Sequence, residues 1–138
     1  MKWLRLLGFD TEYFPENNAG SLIIQALRDE RIILTRNTHL PQSKGLKIVL
    51  LEAEKIKEQV AEVIKKLQIS PDKSRMFTRC LLCNVELICV EKEKIKNKVP
   101  EYVFMTQEHF ITCPKCNRVY WQGTHWGNVE KTLEEIFN

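Results

Sequence analysis

Two Cys-x-x-Cys pairs, Cys80-Leu81-Leu82-Cys83 and Cys113-Pro114-Lys115-Cys116, constrain this chain more than any other feature. A gap of two residues lets both thiolates of a pair reach one tetrahedral ion at about 2.3 Å, with amides of the turn directed at the sulfurs. Two pairs supply four ligands and leave no open coordination position, so the spacing predicts a structural Zn²⁺ held by Cys80, Cys83, Cys113 and Cys116. The other readings are chance pairs of buried cysteines or a redox disulfide, and a reducing compartment favours the metal. Binding of such an ion contributes about 10–16 kcal/mol in small peptides, so the second half of the chain should not fold without it. The 29 residues between the pairs exceed the usual spacer of about 15 to 20. The excess reads as an exposed hairpin tip, because Lys92, Lys94, Lys96 and Lys98 alternate there with Glu91 and Glu93. The fifth cysteine, Cys89, falls on the strand expected after the first pair and reads as a small buried hydrophobe.

The compartment follows from what the chain does not contain. No apolar run reaches 18 residues, so no helix is expected to span a bilayer. The opening Met1-Lys2-Trp3-Leu4-Arg5 is too short and too charged for a signal peptide. The expectation is a cytoplasmic protein whose cysteines stay reduced. Its formal charge is +3, from 21 Lys and Arg against 18 Asp and Glu. Four thiolates around one divalent ion carry −2, which lowers the total to +1, so attraction to nucleic acid has to come from local patches.

Composition changes near residue 70. All five cysteines follow that point, and Ile69-Ser70-Pro71-Asp72-Lys73-Ser74 reads as the link between an α/β domain, residues 1–70, and a ribbon with a closing helix, residues 71–138. In the first part, Trp3, Leu4, Leu6 and Leu7 before Gly8 form the end of a helix and its left-handed stop. Phe9 to Phe14 has strand composition, and Ser21 could cap a helix running to Glu30. Arg31 to Thr35 and Leu46 to Leu51 are short apolar runs of the buried-strand type. From Glu52 to Gln68, Ile56, Val60, Val63, Ile64 and Leu67 recur at helical spacing, with Glu62 facing Lys66. This order argues for a small, mostly parallel α/β layer. In the second part, Val85 to Val90 and Arg118 to Trp121 are expected strands, and Val129, Leu133, Ile136 and Phe137 mark the closing helix.

Lys73, Arg75, Arg79, Lys115 and Arg118 surround the cysteine pairs, and Tyr120, Trp121, His125 and Trp126 follow them. Guanidinium groups beside aromatic rings suit single-stranded RNA, where phosphates meet charge and unstacked bases meet rings. The competing reading places Trp121 or Trp126 in the core between ribbon and helix and gives His125 a structural role. A second polar neighbourhood is Leu34-Thr35-Arg36-Asn37, at the carboxyl end of an expected strand, where open α/β sheets gather ligands. Arg31, at the start of that strand, and Arg36, just past its end, are further candidates for contact with nucleic acid.

Several stretches, taken in order, resemble the mut-seven C-terminal ribonuclease-domain family. They are Trp3 to Thr11, Arg31 to Arg36, Phe77-Thr78-Arg79-Cys80-Leu81-Leu82-Cys83-Asn84, Val99-Pro100, the second cysteine pair, and Tyr120-Trp121-Gln122-Gly123-Thr124-His125-Trp126. The resemblance implies a PIN-like three-layer α/β fold followed by a four-cysteine zinc ribbon, a carboxylate site for Mg²⁺ or Mn²⁺, and an RNA substrate. It also implies departures. Members carry a strand with an Asp ahead of the Trp-Leu-Arg segment, which this chain lacks, so the PIN-like domain reads as N-terminally truncated. They carry Asp after Leu-Thr-Arg, where Asn37 stands here, and a further acid near Ala19 or Gly20. Asp10 remains as the family-like acid, and Asp10 with Asn37 are the residues left for a catalytic role. A hard cation relies on anionic oxygens, and Asn supplies a neutral one. The absent strand would leave a sheet edge open. Either the chain begins upstream, or the sheet rearranges, or a partner strand or self-association supplies the pairing.

Three functions compete on this reading. One is an RNA-associated protein with a degenerate nuclease site, the second an active metal-dependent ribonuclease, and the third a protein-interaction adaptor for which the ribbon is scaffold.

Overall fold

The structure, a computed structural model, describes residues 1–137, apart from the side chains of residues 124–126. It is a mixed α/β chain with two small sheets, divided into two compact units. One unit is Tyr13–Ser70; the other joins Met1–Glu12 to Pro71–Asn138. The first dozen residues therefore cluster with the cysteine half, and not with the α/β half to which their order in sequence assigns them.

In the unit Tyr13–Ser70, α2 spans Ala19–Arg28, β1 Ile33–Thr35, β2 Ile48–Leu50 and α3 Ile56–Leu67. The cap of α2 is Asn18, not Ser21: the Asn18 side chain accepts from the Ser21 amide at 3.0 Å. Asn serves this position as well as Ser does, and placing it three residues earlier starts the helix sooner. The helix closes at Arg28, short of the expected Glu30, which sits at φ 51°. β1 and β2 pair in parallel, Ile33 with Ile48 and Thr35 with Leu50. Ala26, Ile33 and Leu40 are buried together, with Leu22, Ile23, Leu46 and Ile48 packed around them. The α3 pattern buries Val60 and Val63. Its polar side is tied to the end of β2: Glu62 accepts from the amides of Glu52 and Ala53, each at 3.1 Å, and Lys66 donates to the Leu50 carbonyl at 2.6 Å.

In the other unit, α1 spans Lys2–Leu6 and ends at Gly8, whose φ of 87° is the left-handed stop read from the sequence. A Cβ at Gly8 would also collide with the Arg75 carbonyl oxygen. The strand expected over Phe9 to Phe14 does not form. Aromatic and β-branched content favours extended backbone, but a strand needs a neighbour. Here the Thr11 amide donates to the side chain of Asn84 at 3.0 Å instead of to a ladder. In the unit's second segment, from Pro71, the chain forms β3, Ile88–Val90, then α4, Glu101–Thr106, β4, Phe110–Thr112, β5, Val119–Trp121, and α5, Thr124–Phe137. The strands make one antiparallel sheet in the order β3-β4-β5. Leu133 of α5 is buried.

The stretch between the cysteine pairs is not an extruded hairpin. A 3₁₀ turn covers Lys92–Ile95, α4 follows, and Ile95, Val103 and Phe110 are each at most 3% exposed in one cluster. The Lys-Glu alternation concealed this, because one apolar residue per turn suffices to anchor a short helix. Lys92 leaves the solvated face as well: it pairs with Glu108 at 3.1 Å and lies 5.1 Å from the centre of the Phe104 ring. Cys89 is also placed differently from the expectation. It is exposed on the edge strand β3, where Ile88 and Cys89, on opposite faces, are both exposed.

Candidate metal centre and the second-knuckle cleft

Each Cys-x-x-Cys pair is followed by asparagine, and the two turns have one backbone. Cys80 N–H donates to the Val85 carbonyl at 2.8 Å and Asn84 N–H to the Cys80 carbonyl at 2.9 Å; Cys113 N–H donates to Arg118 at 3.0 Å and Asn117 N–H to Cys113 at 2.9 Å. Asn84 and Asn117 sit at φ 64° and 59°. Asparagine visits this left-handed region more readily than other residues with a side chain, so its position after each pair is a sequence signal for the knuckle. Donor and acceptor of the closing bond lie five positions apart, which folds the two sulfurs of each turn toward one point.

The Sγ atoms of Cys80, Cys83, Cys113 and Cys116 lie within 4.8 Å of one another. Cys80 and Cys116 Sγ are 3.7 Å apart. An ion bound tetrahedrally at about 2.3 Å from each sulfur spaces them by about 3.8 Å, so the cluster fits such an ion. All four are free thiols. Cys80 and Cys113 are fully buried, Cys83 is half-buried and Cys116 exposed. The Cys83 amide is aimed at Cys80 Sγ at 3.4 Å. The Tyr120 hydroxyl accepts from Leu81 N–H at 3.2 Å and lies 3.2 Å from Cys80 Sγ, which leaves its proton for the sulfur.

These contacts act on the thiols in opposite directions. Burial raises Cys80, but the Tyr120 hydroxyl and the amides of Cys83 and Leu82 outweigh it and bring the group down to about 6. Burial pushes Cys83 up to about 12, helped by the sulfurs of Cys116 and Cys80. Burial and the bond to Cys80 push Tyr120 up as well. One thiolate thus suppresses the next, and a divalent cation held by Cys80, Cys83, Cys113 and Cys116 would allow all four to ionise.

The first knuckle is tied to the segment Arg5 to Thr11, which is distant in sequence. Arg5, 5% exposed, donates to the carbonyls of Thr11 at 2.8 Å, Leu81 at 2.8 Å and Leu82 at 2.9 Å. Asn84, also buried, accepts from Thr11 N–H and donates through Nδ2 to the Asp10 carboxylate. Arg79 donates to the carbonyls of Asn84 at 2.8 Å and Gly8 at 3.3 Å and faces Glu86 at 3.4 Å. Arg5, Asn84 and Asn117 are not among the candidate site residues that the sequence marks. The repeated Cys-Asn step was the available signal for the asparagines; a buried arginine that binds carbonyls leaves none.

The remaining candidates divide between the units. Asp10 belongs to the cysteine unit, whereas Asn37 belongs to Tyr13–Ser70. Asn37 follows β1, where its amide donates to the Thr35 hydroxyl and its side chain accepts from His39 N–H at 2.9 Å. Arg31 and Arg36 lie in that same unit, Arg36 being exposed and 4.0 Å from Glu54. Lys115 is exposed on the second knuckle. Arg118 and Trp121 come together with Lys98, Cys116, Asn117 and Val119 around an open cleft of about 500 Å³. The side chains of His125 and Trp126 lie outside the described residues.

Four cysteines converging from two turns beside an antiparallel sheet, in one chain with a small parallel α/β unit, define a mixed α/β protein with a group able to hold a metal ion such as zinc. The chain matches the Mut7-C RNAse domain over residues 1–133 and belongs to that family. Neither the curated proteins nor the solved structures gave a match. No helix among the described residues is long and apolar enough to cross a membrane.

Proposed function

We propose that this chain is an RNA-associated member of its ribonuclease family, in which the four cysteines hold a structural zinc and the nuclease centre is degenerate. On this reading Tyr13–Ser70 is a PIN-like unit, and the ribbon unit contacts RNA. One observation carries the degenerate reading: the family-like acid Asp10 is engaged by the Asn84 side chain, as an anchor for the first knuckle. At the other candidate position, Asn37 closes a local turn and offers a neutral oxygen where a metal clamp relies on an anion. Zinc is the ion that suits a closed set of four thiolates at this spacing.

The alternative, an active metal-dependent ribonuclease, is favoured by the family match itself. A gel with zinc-loaded chain and labelled RNA, run with Mn²⁺, Mg²⁺ or EDTA, separates the two. Retardation without cleavage is expected, weakening as salt rises because phosphate contacts release counterions. Asn37→Asp should restore at most trace cleavage. Strong divalent-dependent cleavage by the unaltered chain overturns the degenerate reading. Neither cleavage nor retardation moves the assignment to a protein partner.

A further inference from the structure

The two knuckles share a backbone and differ in what lies against their asparagines. The Asn84 side chain is buried and satisfied by Thr11 and Asp10. The Asn117 side chain is exposed, makes no hydrogen bond among the described residues, and opens onto the cleft shared with Lys98, Arg118 and Trp121. What the first knuckle receives from the chain's own N-terminal segment, the second leaves available to a ligand.

We infer that the cleft beside the second knuckle binds one unpaired nucleotide of single-stranded RNA, its base against Trp121 and Asn117 and its phosphates on Lys98 and Arg118. The inference deepens the RNA-binding reading above and rests on it. The lining carries two cations and no carboxylate; its one anionic neighbour is Cys116 of the cysteine cluster, whose charge a bound cation would share. Neither Lys98 nor Arg118 forms an ion pair among the described residues, whereas Arg79, Lys66 and Lys92 all do. Trp121 is half-buried and packed against the Ile95, Val103 and Phe110 cluster, which fixes the ring before any base arrives. A carboxamide offers two donors and an acceptor, the complement of a base edge, and stacking on an indole tolerates any base. A volume of about 500 Å³ falls within the range of about 300–1,000 Å³ for small-ligand sites. An RNA duplex keeps its bases stacked and would present only phosphates, so the site should prefer single strands.

The test uses the zinc-loaded full chain and a labelled single-stranded oligoribonucleotide, its duplex, and a wholly abasic chain of equal length. Lys98→Ala and Arg118→Ala should each weaken single-strand binding about three- to tenfold and lower the salt slope by about one, while Lys44→Ala, an exposed lysine of the other unit, should change little. Asn117→Gly keeps the left-handed turn that alanine would strain, and removes only the amide. It should cost about fivefold. The abasic chain should bind about tenfold more weakly than the intact strand, by a margin that shrinks in Asn117→Gly. RNA bound equally by the unaltered chain and all cleft variants overturns the cleft and leaves the RNA reading standing, as does equal affinity for the abasic chain. No RNA binding by the unaltered chain overturns both. Zinc content of one per chain checks that each variant is folded, and if Asn117→Gly fails that check the two surface cations decide.

Discussion

Asn84 and Asn117 hold equivalent positions after the two cysteine pairs, with φ angles five degrees apart, yet one is buried in a hydrogen-bonded network and the other is exposed. Identical local geometry has been given two tasks by what the rest of the chain brings to it.

Substitution at Asn84 separates conformation from bonding. Asn84→Ala should lose about 1–2 kcal/mol to the left-handed backbone and about 1 kcal/mol for each of its two side-chain bonds. Asn84→Gly should lose only the second contribution. Urea titrations of the two variants against the unaltered chain measure the difference, and equal losses would show that the backbone conformation is costless here.

Between the knuckles, Ile95 tests whether the spacer is structured. Truncating a buried isoleucine to alanine costs about 2–5 kcal/mol, so Ile95→Ala should lower the denaturation midpoint markedly, whereas Lys96→Ala, exposed one residue later, should leave it within about 0.5 kcal/mol. A solvated tip would show no contrast.

Glu62 gives the α/β unit an acid dependence. The bond from Lys66, with the amides of Ala53 and Glu52, overcomes burial and holds its carboxyl at about 2, below the ordinary 4.5. Folding is therefore favoured by the ionised group above pH 4.5, and this contribution disappears as pH falls toward 2. Stability measured from pH 6 down to 2 should fall less steeply in Glu62→Gln than in the unaltered chain.

Metal removal distinguishes the cysteines. Replacing Cys116 by serine should abolish stoichiometric zinc and unfold the ribbon unit, while Cys89→Ser, on the exposed edge of β3, should keep one ion per chain. Chelator added to the unaltered chain should reproduce the Cys116 result in far-UV dichroism.

The cysteine cluster and the short apolar strands were legible because ligand spacing and period are local properties. So were the end of α1 at Gly8 and the burial of Val60 and Val63 on α3, although Ile56, the first residue of that pattern, is exposed where the helix begins. What was not legible depended on partners far away in sequence. Phe9 to Phe14 has strand composition, but its Thr11 amide is claimed by a side chain 73 residues on. Ile95 is embedded in a run of lysines and glutamates, and only β4, itself a strand of three residues, supplies the Phe110 that covers it. Cys89 reads as buried because cysteine usually is, yet β3 lies at a sheet edge and its first two residues are both exposed. The cleft escaped for the same reason: Lys98 looked like one of four solvated lysines until the fold set it beside Arg118 and Trp121.

Because Met1–Glu12 clusters with Pro71–Asn138, the segment Tyr13–Ser70 is topologically an insertion. During synthesis the inserted unit has all its contacts in hand early, whereas Arg5 must wait for Leu81 and Leu82 to emerge. Prior folding of the insertion shortens the loop that must then be closed, which reduces the entropy lost when the two ends of the ribbon unit meet. Cutting the chain at residue 70 would therefore divide one folding unit and leave the first knuckle without its arginine, while excising Tyr13–Ser70 and bridging the ends is the dissection that respects the architecture.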